Sequence, residues 1–302
     1  MELTESTMES GFTDLPMSED NWEKVAKAFH LPGHFTKVAT RRLTSIITIS
    51  RTCEFPGFRE KLWMHTFTIN PKSYQAFAVA ATHFESCRFT FSIMVGCTDD
   101  QISNVKRLVT GWQDASGHPL LMLGICAELE LNRLENLIGK QRRDYEKLME
   151  KIEDDAVSIR HDRFSWELIK EVRSIRETSK KVEEETETTK LQLSKAILPA
   201  IATLSDQYNH DGPPAATAAA TPAATLPTTI IRQNRETLEI TNLFSERFND
   251  ILSRFDGLSA KCRIYVEGIS FTTDIVSLPV WDFILNHSWP IRKIIDKPLD
   301  QK

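Results

Sequence analysis

At 302 residues, 41% hydrophobic and 26% charged, the chain has the make-up of a globular protein with one large or two modest domains. A net charge of −5 supplies no cationic field, so nucleic acid is not an expected partner. Five scattered cysteines (Cys53, Cys87, Cys97, Cys126, Cys262) without a CxxC pair argue against a disulfide framework and fit a reducing, cytoplasmic setting, while the acidic N-terminus is no signal peptide and no apolar run reaches the ~18 residues of a membrane span.

Residues 1–17 read as a disordered tail. Ser18 is a cap for a short helix to Phe29, with Trp22, Val25, Ala26 and Phe29 on one face. His30-Leu31-Pro32-Gly33-His34 ends it. Two histidines at that spacing could touch a metal, but a loop holding two unrelated histidines is the plainer account.

Three segments then read as strands: Leu43–Ser50, Lys61–Ile69 and Arg88–Val95. In the second, Leu62, Met64, Thr66 and Thr68 alternate with Trp63, His65, Phe67 and Ile69. Residues 73–84 fit a strand slightly better than a helix. His65 and His83 are expected to be structural, hydrogen-bonded histidines.

Thr98-Asp99-Asp100-Gln101 is a capping-box pattern opening a helix. Ile102, Val105, Leu108, Val109 and Trp112 make its apolar stripe. Asp99 and Asp100 are the candidate metal residues of the chain, set against the simpler role of an acidic first turn. Pro119 suits the first turn of the next helix. That helix is apolar all round through LLMLGICAEL and is expected to pack on the sheet, then keeps a seam of Leu134, Ile138, Tyr145, Leu148 and Ile152. Glu128, Glu130 and Glu135 read as a solvated face rather than acid–base groups.

A second long helix carries Leu168, Val172, Ile175 and Val182. Its Lys180–Lys190 run has little to bury and is expected to be solvated. Leu193, Ile197, Ile201, Leu204 and Tyr208 resume the seam, with a kink expected at Pro199. Residues 210–229, rich in Ala, Thr and Pro, read as a low-complexity linker that lets the chain reverse.

Residues 230–275 form the most regular stretch. Phe244, Phe248, Ile251, Phe255, Leu258, Cys262, Tyr265 and Ile269 fall at steps of four and three, the interaction seam of a long amphipathic helix. Residues 276–302 are an atypical tail. There Trp281, Phe283, Ile284, Leu285 and Trp289 precede Arg292, Lys293 and Lys297. Three accounts stay open: peripheral membrane contact by 280–297, docking on the helices, or a non-native end such as a translated retained intron beginning at Val276-Ser277. No phosphate loop, nucleophile elbow, zinc spacing or calcium loop occurs, so an enzyme is not expected.

The expected fold is thus α+β or α/β and helix-dominated. A small α/β body (18–117) is followed by a long helical pair (118–209), the linker and a stalk-like helix (230–275). The segments SYQAFAVAATHFESCRFTFSIMVGCTDDQI, GHPLLMLGICAELELNRL and RFNDILSRFDGLSAKCRIYVEGISFTTDI resemble the cytosolic part of fungal CorA-like proteins, relatives of the CorA magnesium transporters and divalent-cation channels. The resemblance covers residues 40–275. It implies a regulatory domain whose stalk leads into a pore, with Mg2+ as the ion sensed. The family's Gly-Met-Asn signature and transmembrane helices have no counterpart here. The expectation is therefore a soluble, truncated CorA-like protein, not itself transporting. It would self-associate or associate with full-length CorA-like subunits. The alternative is a helical interaction or scaffold protein that binds a partner through the 231–271 seam.

Overall fold

The computed structural model describes residues 18–35, 45–55, 58–69, 75–158, 166–210 and 228–277. The expected tail 1–17, nearly all of the linker and the Trp281–Lys297 cluster lie outside the described residues. The described chain is a helix-dominated α+β protein. Its elements in order are α1 (Glu19–Ala28), β1 (Ser45–Phe55), β2 (Phe58–Thr68), β3 (Ala78–Phe84), β4 (Phe89–Val95), α2 (Asp99–Gly111), a 3-10 turn (Gln113–Ala115), α3 (Leu121–Ser158), α4 (Trp166–His210) and α5 (Thr228–Ser277). It divides into two compact units, 1–136 with 184–259 and 137–183 with 260–302. The divisions fall inside α3, α4 and α5, so each long helix contributes to both units.

In the first unit, α1 starts at Ser18, whose carbonyl accepts from Trp22 N–H but whose side chain makes no cap hydrogen bond. The expected side-chain cap is therefore absent, the Ser18 carbonyl accepting only the first ordinary helical hydrogen bond. The helix ends in a Schellman closure: Leu31 N–H reaches the Ala26 carbonyl at 2.9 Å and His30 N–H the Lys27 carbonyl at 3.2 Å. His30 takes the left-handed conformation that this closure demands (φ 50°), and Pro32 prevents further helix.

The four strands form an antiparallel meander in the order β1-β2-β3-β4. This makes the body α+β rather than α/β. The segment at 73–84 resolves to strand β3, and the first strand extends well past Ser50 to Phe55, pairing as far as Phe55↔Phe58. Every residue from Leu62 to Ile69 is buried, and so is every residue from Ala76 to His83. The central strands are therefore covered on both faces, and the alternation in β2 separates two dry faces rather than wet from dry.

Register tells which element lies on which face. Leu62, Met64, Thr66 and Thr68 pair with Phe84, Thr82, Ala80 and Ala78 and share one face with them. On that face Thr82 Oγ1 donates to the His30 carbonyl at 3.0 Å, and His34 Nε2 lies 3.0 Å from Thr66 Oγ1. The Phe29 ring meets Phe91 edge-on. The α1 end therefore covers this face. Trp63, His65, Phe67, Val79, Ala81 and His83 share the other face. There His65 Nε2 donates to the Pro119 carbonyl at 2.8 Å, at the start of α3, and Lys61 pairs with Gln207 of α4. The apolar opening of α3 is buried from Leu120 through Leu131. Each fully covered Leu or Ile there contributes about 1.5–3 kcal/mol.

The capping box of α2 forms as expected: Gln101 N–H reaches Thr98 Oγ1 and the Gln101 side chain returns to Thr98 N–H. Its apolar stripe is only partly used. Leu108 is buried, whereas Ile102 and Val109 are exposed. The buried Gln101 side chain holds the helix instead, donating to the Gln75 carbonyl at 2.9 Å.

Side-chain pairs set the direction of the long helices in each unit. In the first, α3 and α5 pair Glu128 with Arg247 and Glu135 with Arg254, so they run parallel. In the second, Gly268 approaches Tyr145 and Thr272 Oγ1 lies 3.8 Å from Met149 Sδ, again parallel. Also in the second, Gln141 reaches the Thr178 carbonyl and Lys151 pairs with Glu171, which sets α4 antiparallel to α3. The helix α4 continues without interruption through Pro199.

Candidate functional site

The interaction seam of α5 is buried within the chain. Phe244, Phe248, Ile251, Phe255, Leu258, Cys262 and Ile269 are buried, and Tyr265 is half-buried. In the first unit Phe244 lies against α3: a Cβ added to Gly124 would stand 2.6 Å from its ring. Only glycine permits that approach. Trp112 meets the Phe244 ring edge-on at 5.7 Å, and His118 stacks on it at 5.5 Å with planes 22° apart. In the second unit Ile269 joins Tyr145, Leu148, Ile152, Leu168 and Val172 in one apolar cluster. Tyr265 faces Arg142, Glu146 and Cys262, and burial raises its pKa.

The acidic residues of α3 overturn the solvated-face reading. Glu128 and Glu130 are buried, and all three carboxylates are paired. Arg133 grips Glu130 through Nε at 2.9 Å and a terminal nitrogen at 2.6 Å, and also holds Glu185 of α4. Burial pushes the Glu130 carboxyl above the ordinary carboxylate range, and the adjacent guanidinium pulls it back. The guanidinium, faced by two carboxylates, stays cationic against its own burial. The Lys180–Lys190 run is likewise not simply solvated. It buries Val182, Thr186 and Thr189, and supplies Glu185 to this triad. A helical stripe carried by Thr instead of Leu is easily missed, although threonine's methyl packs much as a valine's does.

Asp99 and Asp100 are exposed in the first turn of α2. Among the described residues no group of three His, Cys, Asp or Glu is placed to hold a metal ion. Among the described residues no third ligand joins this pair, which complements the positive start of the helix.

Four histidines that the sequence separates are held by polar neighbours. His34 faces Thr66 on the α1 side of the sheet. His65 donates to Pro119 and has Thr48 Oγ1 3.2 Å from Nδ1. His83 Nδ1 lies 2.8 Å from Thr90 Oγ1. His118 is bound on both ring nitrogens, by Leu120 N–H and by Thr241 Oγ1. Burial lowers His65 and His83 to about 4 and His118 to about 3. These are neutral, structural rings, as expected for His65 and His83.

Compared with known family models, curated proteins and solved structures, the chain matches none. Among the described residues no helix is long and apolar enough to cross a membrane.

Proposed function

We propose that the chain is a non-catalytic regulatory module of the CorA-like kind, cytoplasmic, sensing Mg2+ without itself transporting it. The supporting observation is the order and direction of the elements. An antiparallel body leads into a long helix pair, α3 and α4, and then into a 50-residue helix α5 whose seam runs along α3. In this reading a change at the body is passed along the helices, whose described seam residues are buried. Its partners in this reading are further copies of itself or full-length CorA-like subunits.

The test compares the purified chain in millimolar Mg2+ and in EDTA by limited proteolysis and sedimentation. A Mg2+-dependent gain in protease resistance or a change in association state is expected. Identical behaviour in both solutions sinks the sensing role.

A second reading, a helical interaction protein, draws on a different feature. Leu191, Leu198 and Leu243 stand exposed on α4 and α5, whereas the seam is covered. That reading expects association that ignores Mg2+ and weakens when Leu243 is replaced by Lys.

A further inference from the structure

His118 closes the approach of α5 to the start of α3 with a single, fully specified tautomer. Leu120 N–H points at Nδ1 from 3.3 Å, so Nδ1 must carry the lone pair. Thr241 donates its hydroxyl proton to the Thr237 carbonyl at 2.8 Å, which leaves its oxygen to accept from His118 Nε2–H at 3.0 Å. One ring thereby joins the turn before α3 to α5, across 123 residues of sequence. A second proton could only go on Nδ1, where it would confront the Leu120 N–H and cost the ring that hydrogen bond.

The surroundings also oppose a positive ring. The titratable groups that act on His118 are His83 on β3 and His65 on β2. Arg88, in the β3–β4 turn, packs its stem 3.1 Å from the Cβ position of Gly117 and donates to Thr237 of α5 at 3.1 Å. From α5 the ring meets Phe244, which would favour a cation through its face; Trp112, before the 3-10 turn, meets that same Phe244 ring. That one favourable contact stands against burial and a lost acceptor; His65 and His83, themselves neutral above about pH 4, add repulsion only below it.

We propose that His118 is an acid-sensitive latch: neutral, it ties residues 237–248 of α5 to the start of α3, and when protonated it releases that part of α5 before the sheet unfolds. The sign follows from the depressed values. His118 binds its proton near pH 6.5 once released but only near 3 while latched, so the latched form loses stability as pH falls below about 6.5. His65 and His83 act in the same direction but tie the sheet to its own neighbours, through Pro119, Thr48 and Thr90.

The experiment is hydrogen exchange by mass spectrometry on the full chain between about pH 7 and pH 5, corrected for intrinsic rates. Peptides covering 237–248 should lose protection about 25-fold, and at each pH they should exchange ahead of those covering 62–68, whose opening also releases His65 and His83. His118→Gln retains the donor toward Thr241 and cannot titrate, so it should abolish this pH dependence. The idea is overturned if 237–248 stays protected until 62–68 also exchanges, or if His118→Gln opens with the wild-type pH dependence. Should that variant not fold, the wild-type chain decides by NMR. The ring nitrogen shifts of His118 must move over the same pH interval as the loss of protection, and opening with His118 still neutral rules the latch out.

Discussion

In the first unit the long helices meet through apolar contacts such as Phe244 on Gly124 and also through buried charge and polar rings: Arg133 between Glu130 and Glu185, Arg247 on the buried Glu128, and His118 on Thr241. In the second they meet through Tyr145, Leu148, Ile152, Leu168, Val172 and Ile269, and their ion pairs lie on the outside, as with Lys151–Glu171 and Arg263–Glu183. The contrast bears on what specifies register. An apolar cluster rewards any arrangement that covers it and tolerates small slips. A buried ion triad does not, because a shift of one turn leaves a charge out of water without its partner. The first unit is therefore the part where the mutual alignment of α3, α4 and α5 is set, and the second is held by area.

Arg133→Leu is the sharpest way to break this contrast. It leaves Glu130 buried without its cation and is expected to cost about 4 kcal/mol in urea unfolding. Replacing Glu130, Arg133 and Glu185 all by Leu should recover most of that loss, though not the unique register. A cost below about 1 kcal/mol for Arg133→Leu would show that the triad is bystander to the fold.

Leu148→Ala, in the second unit, opens a cavity at a fully covered position and should cost about 3 kcal/mol. Helix alignment in the first unit, followed by a spin-label pair on α3 and α5 within it, should not change. Gly124→Ala tests the close approach instead. The new methyl meets the Phe244 ring, and a loss of about 2 kcal/mol with altered Trp112 fluorescence is expected. Unchanged stability would mean that the ring simply swings aside. The smallest effect belongs to Lys151→Ala. This exposed pair with Glu171 should be worth under about 0.5 kcal/mol, and a larger loss would move the second unit towards the first in kind.

Much of this was legible in the residues because it is local. The seam of α5 is a periodicity, and seven of its eight side chains are buried where the pattern puts them. The Thr98–Gln101 capping box needs only four neighbouring residues, and it formed. The strands β1, β2 and β4 followed β-branched and aromatic composition, whereas the alanine-rich β3 was only weakly marked. Local pattern failed where the cover came from afar. Glu130 looks solvated in sequence because nothing within a turn or two announces that Glu185, 55 residues on, will place Arg133 against it. Ile102 and Val109 made a credible stripe, but the side chain that docks α2 is Gln101.

The sequence by itself determined the kinds of element, their order and the apolar face of each long helix, since these depend on propensity and period over short windows. Tertiary structure alone decided that the sheet is an antiparallel meander, that α5 runs parallel to α3, and that Glu130, Arg133 and His118 lie inside. The last two outcomes rest on pairings between residues roughly 50 to 120 positions apart, such as Arg133–Glu185 and His118–Thr241. The worth of such pairs appears only once water has been excluded around both partners.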